Sequence, residues 1–77
     1  MKMKQAKEIR NGSLYFNSLS DRVERALGKV NSMRVWTNYH ENAASATRVK
    51  NLRKASTDEI AEYVSESEML NSAAAPV

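Results

Sequence analysis

Residues 33–39 carry the clearest periodicity in the chain: Met33, Val35, Thr37 and Tyr39 alternate with Arg34, Trp36 and Asn38. A period of two built from β-branched and aromatic side chains predicts a strand. Arg34 and Trp36 fall on one face of it and Tyr39 on the other. Upstream, Asn11-Gly12 separates Ile9 from Leu14-Tyr15-Phe16. Both turn residues tolerate positive φ, so the pair predicts a hairpin in which Ile9 faces Leu14. A short basic helix capped by Gly12 is the alternative, and Leu14-Tyr15-Phe16 reads as a strand in either case. Residues 19–33 stay open between two readings. Leu19, Val23, Ala26, Val30 and Met33 have the spacing of an amphipathic helix, but Gly28, Asn31 and Ser32 interrupt it. The strand reading places residues 22–27 in a strand and residues 30–33 in a turn. It requires a bulge, because Val23 and Ala26 do not share parity.

The second half of the chain is plainer. Residues 40–47 are rich in Ala, Ser and Asn and predict a loop; residues 48–50 predict a short basic strand, and residues 51–55 lead out of it. Ser56-Thr57-Asp58-Glu59 is a capping box, with acidic residues at the positive end of the helix dipole. Ile60, Tyr63 and Val64 follow as an apolar stripe, and the helix is expected to fade near Leu70. The expected fold is mainly β in the α+β class: a small Src-homology-like barrel or curled antiparallel sheet with one C-terminal helix. Its expected core is Ile9, Leu14, Phe16, Val23, Leu27, Val30, Met33, Val35, Val49, Leu52, Ile60 and Val64. A bundle that is largely helical over residues 19–46 is the competing architecture.

Length and composition narrow the function. Seventy-seven residues make one domain, expected at 1–70 with a flexible tail at 71–77, and a core this small is thin. There is no cysteine, so neither disulfides nor a thiolate metal site can reinforce it. The N-terminus is charged with no apolar run behind it, and no stretch is apolar enough to span a membrane, which predicts a cytoplasmic protein without membrane contact. The net charge of +3 hides a split. Residues 1–54 hold all twelve Lys and Arg against four carboxylates, whereas residues 55–77 hold five carboxylates and no cation. A basic body with an acidic tail bears directly on partners.

Catalysis needs a group poised near neutral pH with a fixed partner, and no such pairing is legible. His40 is the lone histidine and reads as a solvated loop residue. The helix carboxylates lack the glycine-containing loop of a calcium site, and the two glycines are too far apart to cradle a phosphate. No enzyme, catalytic residue, metal or cofactor is expected. Nucleic acid is the remaining candidate, because Arg22, Arg25, Lys29, Arg34, Arg48, Lys50 and Arg53 interleave with Trp36 and Tyr39. Cations for phosphates and rings for bases are the mixture that oligonucleotide-binding sheets use. Set against this, the one Trp of so small a chain is expected to pack under the C-terminal helix against Ile60 and Val64. A helix-turn-helix at residues 57–74 is rejected, since its reading helix would carry Glu68 and no cation. The other route is a host protein docked through Asp58, Glu59, Glu62 and Glu66 or through a strand edge.

The run Asn51-Leu52-Arg53-Lys54-Ala55-Ser56 leading into Thr57-Asp58-Glu59-Ile60-Ala61-Glu62-Tyr63, after a hairpin and strands, resembles small Src-homology-type β-barrels encoded by phages and other mobile elements. The likeness covers roughly residues 13–64. It implies a platform for binding nucleic acid or protein, which is consistent with an accessory protein acting on nucleic acid or a nucleic-acid machine, or with a stoichiometric inhibitor or assembly factor acting on a host protein.

Overall fold

The computed structural model describes residues 5–74. Five strands, β1 (Leu14–Asn17), β2 (Arg22–Asn31), β3 (Arg34–Asn38), β4 (Ser45–Arg48) and β5 (Leu52–Lys54), are followed by the helix α1 (Thr57–Ala74). They form one antiparallel sheet in the order β4-β3-β2-β1-β5. The edge strands β4 and β5 are joined by a single 3₁₀ turn, Val49–Asn51. Four inter-strand gaps in a flat sheet would hold these edges about 19 Å apart. The four-residue step from Arg48 to Leu52 spans at most about 14 Å. The sheet therefore curls, with a concave inner face, and it remains open because β4 and β5 do not pair with each other.

The inner face is divided. Its apolar half holds Tyr15, Ala26, Val35, Val49 and Leu52, closed by Ala6 and Ile9 from an N-terminal 3₁₀ turn, Ala6–Glu8. Its polar half holds Asn17, Glu24, Thr37 and Thr47, all buried. On the outer face, α1 packs against β2, and Tyr63 is its buried anchor, 4% exposed.

Several sequence expectations are met. β3 matches the alternating segment, with Val35 and Thr37 buried on one face and Trp36 exposed on the other. The capping box forms as predicted: the Ser56 N–H donates to Glu59 Oε1 at 2.8 Å, and the Glu59 N–H donates to Ser56 Oγ at 3.2 Å. Residues 22–31 are a strand, and it carries two bulges, at Leu27 and at Val30. Neither bulge lies between Val23 and Ala26, where one was expected: the register there is unbroken, and the two residues are buried on opposite faces, Ala26 inside and Val23 on the outer face near Tyr63.

Others are corrected. Asn11-Gly12 does form a turn, with Gly12 at φ 87°, but among the described residues no strand precedes it. Ile9 enters the core instead of facing Leu14, because plugging the open end of a curled sheet buries more apolar surface than a two-stranded ribbon can. Residues 45–47, expected as loop, belong to β4, and the expected strand at residues 48–50 is a strand end followed by the tight 3₁₀ turn. That turn is what carries the chain from one sheet edge to the other. The helix continues past Leu70 to Ala74; residues 75–77 lie outside the described residues. Leu27, Val30, Met33, Ile60 and Val64 were expected in the core and are exposed, while Leu14 and Phe16 are half-buried. The bulges take Leu27 and Val30 out of the ladder, and Met33 sits in the β2–β3 turn. Tyr15, Ala26 and Tyr63 occupy the interior instead.

Candidate nucleic-acid interface

β3 is a regular strand, so alternation decides which side chains point outwards. With Val35 and Thr37 inside, Arg34 and Trp36 face out, and the ladder sets their neighbours. Arg34 is directly opposite Arg48 on β4, and Trp36 lies between Gly28 on β2 and Ala46 on β4. Trp36 is 43% exposed. This overturns the expectation that it packs under the helix: α1 packs on β2, with Tyr63 as its buried residue, and Trp36 on β3 is left exposed. At the β2–β3 tip, Asn31, Ser32, Met33, Arg34, Arg48 and Lys50 line a cleft of about 480 Å³. Among the described residues, Lys29, Arg34, Arg48 and Lys50 have no carboxylate partner.

The remaining predicted cations are not on that surface in the same sense. Arg22 Nε donates to Glu24 Oε2 at 3.0 Å, and its guanidinium lies 4.4 Å from the Tyr39 ring centre. Arg25 donates to the Gly12 carbonyl at 2.6 Å and leans towards Tyr63. Arg53 grips Glu59 through two 2.8 Å hydrogen bonds and covers Phe16. The bidentate Arg53 contact, together with the Ser56 backbone, holds the Glu59 carboxyl down to about 2. The nine predicted contact residues therefore divide into an open set, Arg34, Trp36, Arg48 and Lys50; Lys29, which the ladder sets opposite the inward-facing Val35 and so off the Trp36 face; and a set occupied in holding α1 and the β1–β2 turn.

The acidic helix is similarly divided. Glu59 is held by Arg53 and the cap, and Glu66 accepts hydrogen bonds from the Tyr39 hydroxyl and from the His40 ring. The Tyr39 hydrogen bond, then that of His40, holds the Glu66 carboxyl below its ordinary value, and the same contact raises the Tyr39 hydroxyl. Asp58 and Glu62 alone remain of the four acidic residues proposed for protein docking.

Sequence reasoning missed two clusters. His40, read as solvated, has a side chain only 5% exposed. Its ring stacks on Tyr63 at 4.1 Å, Nδ1 meets Ser67 Oγ at 2.8 Å and Nε2 meets Glu66 Oε2 at 3.1 Å. Its backbone N–H donates to the Tyr63 hydroxyl, and its φ of 53° places it in the left-handed region that His enters more readily than most residues. Ser67 and Glu66 are consecutive on α1, where the backbone amides are committed to the helix ladder. They clasp the ring from both sides and assemble no oxyanion pocket there. No local pattern links residues 40 and 66, so the clasp had no sequence signal.

The second cluster is the polar half of the interior. The Glu24 carboxylate accepts from Ser20 Oγ at 2.6 Å, Thr37 Oγ1 at 2.7 Å, Arg22 Nε at 3.0 Å and Asn17 Nδ2 at 3.3 Å. Thr37 in turn meets Thr47 at 2.7 Å. Burial pushes the Glu24 carboxyl up, and the four donors outweigh it, so the group lies below its ordinary value. The shared parity of Thr37 with Val35, and of Thr47 with Val49, was the available hint.

No protein-family model matches the sequence, and no curated protein or solved structure matches it either. No helix among the described residues is long and apolar enough to cross a membrane.

Proposed function

We propose that this protein is a non-enzymatic nucleic-acid-binding accessory protein that docks a phosphate backbone on the open outer face of β3 and β4. One observation carries the reading: Arg34 and Arg48 are cross-strand neighbours, with no carboxylate beside them among the described residues. Like charges directly opposite each other on a sheet destabilise it. An anionic partner relieves that repulsion, and Lys50 in the adjoining cleft adds a third cation. The reading also rests on the resemblance to the small Src-homology-type barrels of phages and mobile elements, in which a curled sheet serves as a binding platform, and it places the protein in the cytoplasm with nucleic acid or a nucleic-acid machine. The host-protein alternative draws less support, since two of its four carboxylates are spent within the chain.

The test is fluorescence anisotropy of labelled DNA and RNA at low and near-physiological salt, with wild type and the double variant Arg34→Glu/Arg48→Glu. Each neutralised phosphate contributes about 0.7–0.9 to the logarithmic salt slope, so three cations give a slope of about −2 to −3. The double variant is expected to flatten the slope and lose most of the affinity without unfolding, because both side chains lie on the outer face. Undiminished affinity in that variant would remove this face from consideration.

A further inference from the structure

We infer that the ligand of this face is a single strand, held by stacking of a base on Trp36. The inference rests on the nucleic-acid reading above and adds what kind of nucleic acid is bound and how. A chain with so few large side chains ordinarily hides its Trp, yet this one stands out from the middle of a sheet while Tyr15 and Tyr63 are buried. Its two neighbours across the ladder, Gly28 and Ala46, are the smallest residues available. A Cβ built at Gly28 would meet nothing within 4 Å apart from its own chain neighbours, so Gly28 itself is not covered. With 43% of its surface exposed and no bulky side chain directly opposite it on either neighbouring strand, the ring offers accessible aromatic surface.

Bases in a duplex present only their edges, because their faces are stacked on one another; an unpaired base offers its face. A free aromatic platform therefore selects a single strand. Arg34 stands one row further along the same face, about 6.6 Å from Trp36 at two residues of strand rise, and Arg48 lies on the diagonal at about 8 Å. That places cations within reach of the phosphate next to a stacked base. Duplex reading requires an element that enters a groove. The helix α1 is acidic and would be repelled by phosphates, and the β2–β3 ribbon is not free to enter a groove, because β4 pairs with β3 along Arg34–Thr37.

Because Trp36 is the one Trp in the chain, its fluorescence reports on this site alone. The experiment titrates the full chain with a short oligothymidylate, with a mixed-sequence DNA duplex and with inorganic polyphosphate, which is an anion without bases. Stacking predicts saturable quenching by oligothymidylate and none by polyphosphate, with the duplex bound more weakly. Trp36→Ala is expected to lose about tenfold to a hundredfold in oligothymidylate affinity while keeping its salt slope, and Trp36→Phe to retain most of it. If duplex and polyphosphate bind as tightly as the single strand and Trp36→Ala changes nothing, the stacking inference is overturned and the basic face alone survives. If none of the three probes binds, both readings fall together.

Discussion

Replacing Glu24 tests the most unusual feature of this small interior, a carboxylate 4% exposed that accepts four hydrogen bonds. In Glu24→Ala, Arg22 turns to solvent, since its side chain is 45% exposed, and Ser20 is on the surface. Asn17 and Thr37 cannot escape: both are buried, and each would lose its bond to the carboxylate. Two buried groups deprived of that partner cost about 1–3 kcal/mol each, hence about 2–6 kcal/mol together. A chain of this length has a total stability of roughly 4–12 kcal/mol, so this one change consumes about half of it. Glu24→Gln keeps the shape and one acceptor oxygen and is expected to lose about 1–3 kcal/mol.

Urea unfolding followed by far-ultraviolet circular dichroism measures both variants. The pH dependence supplies an independent readout. The folded carboxyl titrates below the ordinary 4.5, so its stabilisation is complete above that pH and disappears as the pH falls through the folded value. Acidification should therefore erode wild type more than Glu24→Gln. A double-mutant cycle of Glu24→Gln with Thr37→Val should show coupling of about 0.5–3 kcal/mol. Loss of less than about 0.5 kcal/mol in Glu24→Ala would refute the reasoning, because it would mean that Asn17 and Thr37 satisfy themselves without the carboxylate.

Two other outcomes follow from the same structure. Tyr63→Ala removes the buried anchor of α1 together with the ring stacked on His40 and the hydroxyl that accepts from its backbone, so it should cost about 3–5 kcal/mol, and limited proteolysis should cut within α1 well before the sheet. Gly28→Thr places a β-forming side chain in empty space within a strand; it should raise stability by about 0.5–1 kcal/mol in urea melts, and a loss instead would show that the bulge beside it needs glycine.

Two elements followed from local rules alone. The alternation of residues 33–39 specified β3 and its two faces, because a pleated strand forces neighbours to opposite sides. Ser56 and Glu59 announced the start of α1, because the unsatisfied amides of a helix end need those side chains at that spacing. The split between a basic body and an acidic helix was also in the chain itself. Tertiary structure alone decided which residues those elements would meet. A curled sheet creates an open end, and that end drew in Ala6 and Ile9 and unmade the hairpin expected at Asn11-Gly12. Burial on both faces of β2 hid Val23 on one side and Ala26 on the other, which imitated a helical spacing, and two bulges put Leu27 and Val30 in solvent. The position of α1 over β2 buried His40 and Tyr63 and left Trp36 exposed. These outcomes depend on contacts between residues distant in sequence, such as His40 with Glu66 or Arg34 with Arg48. Local periodicity records which face a side chain occupies; only the packing of whole elements determines whether that face is covered.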